Sequence, residues 1–96
     1  TQSDFCFYGN QNVKTISANS NLDSQGYGRY YCTAANAATL TNCPTTDAFY
    51  LVAEFSTSTN RIQTITTDTA IPVVYRRVKT GGTWGSWYKF EGTVVS

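Results

Sequence analysis

Few residues in this 96-residue chain could take part in acid–base or nucleophilic catalysis. The sequence contains no histidine, so neither a Ser-His nor a Cys-His nucleophile can be built from it. A glycoside hydrolase needs two carboxyl groups on facing surfaces, and no segment here holds two of them close together. The six carboxylates are spread along the chain at Asp4, Asp23, Asp47, Glu54, Asp68 and Glu91. The sequence therefore predicts a protein that is not an enzyme.

The three cysteines, Cys6, Cys32 and Cys43, are the other reactive side chains. Three thiolates do not complete a four-ligand zinc site, and their spacing matches none of the usual zinc patterns. We therefore predict no metal and no cofactor. An odd number of cysteines also argues against the fully paired framework of a secreted protein. Because Cys32 and Cys43 flank one loop, a bridge between them is the alternative to three free thiols.

Aromatic side chains are abundant: they make up 15% of the chain and include seven Tyr and two Trp. Sugar-binding surfaces place aromatic rings against apolar C–H patches and use polar side chains to bind hydroxyl groups. Tyr27 and Tyr50 stand beside polar or loop residues, so they are candidate ligand-binding residues together with Arg76. Trp84 and Trp87 are predicted to belong to the core of so small a domain.

The only cluster of basic residues is formed by Arg76, Arg77 and Lys79. The net charge is only +1, whereas a nucleic-acid-binding domain usually carries a basic stripe, so we predict no nucleic-acid partner. Strand alternation places Arg76 and Arg77 on opposite faces. Two interpretations stay open: a solvated hairpin, or a site for an anion or a phosphate group.

These side chains must be positioned by β-strands, because the chain is rich in Thr and Tyr and only 14% charged. Residues 71–90 contain two β-type runs around Gly81-Gly82 and are predicted to form a hairpin. Further strands are predicted within residues 13–17, 29–33, 48–56 and 61–68, and residues 34–41 are predicted to be a loop or one helical turn. No apolar run could span a membrane, so we predict no membrane insertion.

The predicted fold class is mainly β: a small antiparallel meander or sandwich with short loops and at most one or two helical turns. The length corresponds to one domain. Residues 21–96 form that domain in this interpretation. Residues 1–20 are either its first strand or the end of a preceding shaft.

Several motifs, in the order in which they occur, give the chain a family resemblance. They are Asn21-Leu22-Asp23, Gly28-Arg29-Tyr30-Tyr31-Cys32, the loop of residues 38–44, Ile62-Gln63-Thr64, Tyr75-Arg76, and Gly82-Thr83-Trp84 followed by Trp87. This ordered set resembles the knob modules of phage tail fibres and R-type pyocin fibres. It covers residues 21–90, whereas residues 1–20 fall outside it.

The resemblance implies a homotrimeric fibre in the tail of a virion or a tail-like particle, assembled in the cytoplasm of the bacterial host. It implies attachment to host-cell surface polysaccharide or lipopolysaccharide; the alternative is a structural spacer or trimerisation module without a ligand of its own. Since a reducing cytoplasm disfavours disulfides, it also implies three reduced thiols.

Overall fold

A computed structural model of the protein describes residues 13–95, and these form a single seven-stranded sheet. The strands follow the order β1-β2-β3-β4-β5-β6 across the sheet, and β7 pairs with β5 beside β6. Every pairing is antiparallel except that of β1 with β2, which is parallel. The bounds are β1 Val13–Thr15, β2 Gly28–Cys32, β3 Phe49–Thr57, β4 Asn60–Thr67, β5 Val73–Thr80, β6 Thr83–Trp84 and β7 Tyr88–Glu91.

This architecture confirms the predicted fold class, a small β domain with short loops. The two helical pieces among the described residues are the one-turn helix α1, Ala34–Ala37, and a 3-10 turn, Leu22–Ser24. The parallel pair of β1 and β2 departs from a simple meander, because a long connection containing the 3-10 turn separates the two strands. No helix among residues 13–95 is long and apolar enough to cross a membrane.

The core lies on one face of the sheet, which we call the covered face. Alternate residues of β3 and β4 point into it, as the period of two in a strand requires, and Gln63 is among them. Ile16, Leu22 and Ala37, from the segments between strands, pack over the same face. The buried hydrophobic core consists of Ile16, Leu22, Tyr30, Cys32, Ala37, Phe49, Leu51, Ala53 and Ile65.

The layer over the covered face is fixed by local hydrogen bonds. Asn21 caps the 3-10 turn, because its side-chain oxygen accepts a hydrogen bond from the backbone N–H of Asp23. The backbone N–H of Leu22 donates to the carbonyl of Thr41 at 3.1 Å, which joins this turn to the loop after α1. Leu22 is thereby held fully buried against the sheet.

The predicted hairpin is present as β5, a tight turn, and β6 with β7. Gly81 and Gly82 both have positive φ, 57° and 87°, which a type I′ turn requires at its two central residues. Arg76 pairs with Tyr88 and Lys79 pairs with Trp84, so the return arm holds one residue more than β5 between these pairs. This extra residue makes a β-bulge in the segment that contains Gly85.

Residues 1–12, with Cys6 and the aromatic run 5–8, lie outside the described residues. Within the predicted segment of residues 1–20, β1 pairs with β2 in the seven-stranded sheet, and Ile16 lies in the core. The division of the chain at residues 20 and 21 stays a prediction.

Candidate functional site

The second face of the sheet carries many apolar side chains, and no element of residues 13–95 packs over it. We call it the open face. Strand register places the even-numbered residues of β3, β4, β5 and β7 on it, together with Val13, Arg29 and Tyr31 from β1 and β2. Its exposed large apolar side chains are Val13, Tyr50, Val52, Ile62, Val78, Tyr88 and Phe90. Arg29, Glu54 and Arg76 lie among these apolar side chains on the same face.

Two of the three predicted ligand-binding residues, Tyr50 and Arg76, lie on the open face. Tyr50 is 48% exposed, and its ring lies 5.0 Å from that of Tyr31 between centroids. The Nε of Arg76 donates a hydrogen bond to the hydroxyl of Thr64 on the neighbouring strand at 3.2 Å. Arg76 is therefore a solvated side chain that lies along the sheet, as one interpretation of the basic cluster predicted.

The third predicted residue, Tyr27, lies elsewhere. It precedes β2, is 69% exposed, and its ring meets that of Phe55 edge-on at 6.1 Å between centroids. Phe55 is directly opposite Arg61, whose guanidinium lies 4.1 Å above the Phe55 ring. Strand register places Phe55 and Arg61 in phase with the covered face, so Tyr27 is not brought together with Tyr50 and Arg76.

Arg77 is the most constrained charged residue of the domain, with only 4% exposure. Its Nε donates to Oε1 of the buried Gln63 at 2.8 Å, and its Nη2 forms an ion pair with Asp23 at 2.8 Å. The Nε2 of Gln63 in turn donates to the carbonyl of Leu22 at 2.6 Å. We call these four residues the Arg77 network. It joins β4 and β5 to the 3-10 turn, so the solvated-hairpin interpretation is wrong for Arg77.

Trp84 and Trp87 flank this network. Neither is a fully buried core residue, but Trp87 packs against the core, so the core prediction is wrong for Trp84 and confirmed only in part for Trp87. Both are half-buried, and the Arg77 guanidinium lies 3.9 Å from the ring centroid of Trp84 and 4.7 Å from that of Trp87. The Nε1 of Trp87 donates to the carbonyl of Asn42 at 3.0 Å. The bulge places both indoles beside the same cation. A strand of uniform period would have placed residues 84 and 87 on opposite faces.

The sequence held one signal of the Arg77 network that the prediction missed. Gln63 has the same strand phase as the buried Ile65, so a polar side chain had to enter the core there. A buried amide requires hydrogen-bond partners, and the long donor side chain on the neighbouring strand supplies one. Burial lowers the pKa of Arg77, while the hydrogen bond and charge of Asp23 act in the opposite direction.

Cys32 and Cys43 are free thiols in the structure. That all three thiols are reduced stays a prediction, since Cys6 lies outside the described residues. Cys32 is fully buried, and this burial raises the pKa of its thiol to about 11. Cys43 is half-buried beside the core, and burial also raises its pKa. Both thiols are therefore protonated near neutral pH, which gives them little nucleophilic reactivity.

The described residues contain no group of three or more His, Cys, Asp or Glu side chains that could hold a metal ion. Asp23 is engaged with Arg77, and Glu91 pairs with Lys89 at 3.2 Å. Asp68 accepts a hydrogen bond from the Tyr31 hydroxyl at 3.1 Å, which raises the pKa of that tyrosine. These three carboxylates therefore have structural partners.

Solved structures of pyocin fibres share this fold. An N-truncated R2-type pyocin tail fibre matches with a TM-score of 0.80 and 22% identity, over 90% of this chain and 35% of the fibre chain. A C-terminal fragment of the P. aeruginosa R1 pyocin fibre matches with a TM-score of 0.78 and 22% identity, over 86% of this chain and 22% of the fibre chain. This chain therefore corresponds to a minor part of each fibre. No protein-family model and no curated protein matches it.

The resemblance indicated by the sequence motifs is confirmed at the level of the fold: this is a β domain of the kind that R-type pyocin tail fibres contain. The aligned region covers most of the described residues.

Proposed function

We propose that this chain is a domain of a tail fibre, from a phage or a tail-like particle, that attaches the particle to its host cell. The observation that carries the proposal is the fold shared with R-type pyocin fibres, combined with a sheet that has one covered and one open face. The host ligand under this proposal is surface polysaccharide or lipopolysaccharide. The domain acts by binding and not by catalysis.

Assembly into a homotrimer would account for the open face. Exposed apolar patches on a soluble protein can mark interaction sites, and contact between copies of the chain would bury the apolar side chains of this face. Val52 and Ile62 lie on the open face, each 38% exposed and uncharged, although the register places Arg29 beside Val52 and Glu54 beside Ile62. Under this proposal, Tyr50 and Arg76 contact neighbouring copies. Tyr27 is then the predicted ligand-binding residue that stays free to meet the host.

The alternative function is a structural spacer or trimerisation module, and the open face favours it as well, because assembly needs no ligand. The two functions differ at the outer surface of the fibre. A binding domain must offer aromatic and hydrogen-bonding side chains to the host glycan, and Tyr27 beside Phe55 is one such group. In either case the protein belongs to the tail of the particle and is assembled in the host cytoplasm.

The test is binding of the labelled protein to an array of bacterial surface polysaccharides and lipopolysaccharides, and to host cells. Attachment predicts retention on at least one glycan, with weaker retention for Tyr27→Ala than for Val94→Ala. Val94 is a suitable control because it is 87% exposed and lies after the last strand. A trimer that binds neither glycans nor cells would support the spacer function. Release of reducing sugar ends would contradict the proposal that the domain is not an enzyme.

A further inference from the structure

Four side chains in direct cross-strand register form a row at the end of the sheet near the β3–β4 and β5–β6 turns. Phe55 on β3 pairs with Arg61 on β4, Arg61 with Lys79 on β5, and Lys79 with Trp84 on β6. Directly paired residues point to the same side of a sheet, and this side is that of the covered face. We call these four residues the cation row: two cations side by side, with an aromatic ring at each end.

The cation row places two like charges opposite each other, an arrangement that is destabilising in a sheet. The described residues provide no carboxylate within ion-pair distance of Arg61 or Lys79. The flanking rings compensate in part, since the Arg61 guanidinium lies 4.1 Å above Phe55 and the Lys79 ammonium 5.8 Å from Trp84. An anion placed between the two cations would remove the repulsion.

The row is accessible and held in position. Its four members are half-buried, and Nε of Arg61 donates to the carbonyl of Ser58 at 3.1 Å, which leaves the terminal guanidinium donors available. A hollow of about 340 Å³ at this end of the sheet includes Phe55, Arg61 and Lys79 in its lining. Glu54, Ile62 and Val78 also line it, and strand register assigns these side chains to the open face, so the hollow is not confined to the row.

We propose that the cation row binds an acidic saccharide, whose carboxylate or phosphate lies between Arg61 and Lys79 and whose sugar rings pack against the flanking aromatic residues. The row crosses four adjacent strands and is thus about 14 Å long, which suits an oligosaccharide better than a single small anion. Tyr27, in edge contact with Phe55, extends the aromatic wall. The row lies on the side away from the open face, so it remains accessible when copies pack there.

This proposal rests on the proposed attachment function and gives it a ligand class. Calorimetry would measure binding of tri-galacturonic acid, of a phosphorylated lipopolysaccharide core oligosaccharide, and of maltotriose as the neutral probe. We expect at least one acidic probe to bind at least tenfold more tightly than maltotriose and to weaken about tenfold between 50 and 500 mM NaCl, because salt screens exposed charges. Binding of the carboxylate probe alone would indicate a uronic-acid polysaccharide, and binding of the phosphate probe alone a lipopolysaccharide core.

Arg61→Gln and Lys79→Gln should each raise the Kd of the acidic probe at least tenfold. Lys89→Gln also removes one positive charge, from an exposed ion pair on β7, and should leave the Kd within twofold. If a variant fails to fold, titration of the wild-type protein replaces it, because ligand binding must shift the NMR signal of the Trp84 indole N–H. A Kd that is unchanged in Arg61→Gln and Lys79→Gln would overturn the proposal, as would equal binding of maltotriose or no binding of either acidic probe.

Binding to host cells distinguishes a failure of the proposed ligand site from a failure of the proposed attachment function. If the wild-type protein binds cells and the variants bind equally well, the cation row is not the site, while the attachment function stands. If the wild-type protein does not bind cells, the attachment function fails.

Discussion

Removal of the Arg77 side chain tests whether the Arg77 network stabilises the fold. Arg77→Ala leaves Oε1 of Gln63 without its donor in a site where Gln63 is only 1% exposed. An unsatisfied buried acceptor costs about 1–3 kcal/mol. The contacts of the guanidinium with the two indoles contribute about 0.5–2 kcal/mol each. The ion pair with Asp23 contributes about 0.5–1 kcal/mol, since the Asp23 side chain is 39% exposed.

Together these losses predict that Arg77→Ala lowers the free energy of unfolding by about 2.5–8 kcal/mol, a large share of the ~5–15 kcal/mol that stabilises a typical domain. Urea unfolding followed by Trp fluorescence measures this directly. Protein concentrations must be equal, because association adds to apparent stability. Arg76→Ala is the matched control, because Arg76 is the neighbouring residue, is exposed, and makes one side-chain hydrogen bond. This substitution should lower the free energy of unfolding by only about 0.5–1 kcal/mol. A loss below about 1 kcal/mol for Arg77→Ala would refute this account of the network.

Three further predictions concern the thiols and the tight turn. Because the pKa of Cys32 is raised from its ordinary 9.0 to about 11, the unfolded chain loses this proton first as the pH rises. The free energy of unfolding should therefore fall by about 2–3 kcal/mol between pH 9 and 11, and urea unfolding of Cys32→Ala should lack this component. Thiol titration of the unfolded protein without reductant should count three free cysteines, whereas a count of one would show that two of them form a bridge. Gly82→Ala should lower stability by about 1 kcal/mol or more because φ is 87°, while thermal melting of Gly92→Ala, with open space at that position, should match the wild type.

The strands could be predicted because their residues alternate in a way that matches burial. In β3, the residues Phe49, Leu51 and Ala53 are buried while those between them are exposed, and this period of two is visible in the sequence. The turn at Gly81-Gly82 was equally predictable, since two adjacent glycines suit a turn with two positive φ angles. Local sequence therefore carries most of the information about the sheet.

The candidate site could be predicted only in part, because its contacts join residues far apart in the chain. Asp23 and Arg77 are 54 positions apart, and no local pattern pairs them. The burial of Trp84 and Trp87 was overestimated, because the Arg77 guanidinium lies against both rings and only Trp87 also packs against the core. Tyr27 and Tyr50 are both exposed, but they lie on different surfaces. Which surface each tyrosine occupies depends on which face of the sheet the loops cover, and local sequence does not show this.

The central claim is that the domain assembles through its open face as part of a fibre. The most direct test is the molecular mass of the full-length protein by light scattering, together with its melting temperature. The account predicts a trimer for the wild-type protein. Val52→Lys, in the open face, should dissociate the trimer or lower its melting temperature, whereas Val94→Lys, outside the sheet, should leave both unchanged. A wild-type monomer, or a trimer that is indifferent to Val52→Lys, would contradict the claim.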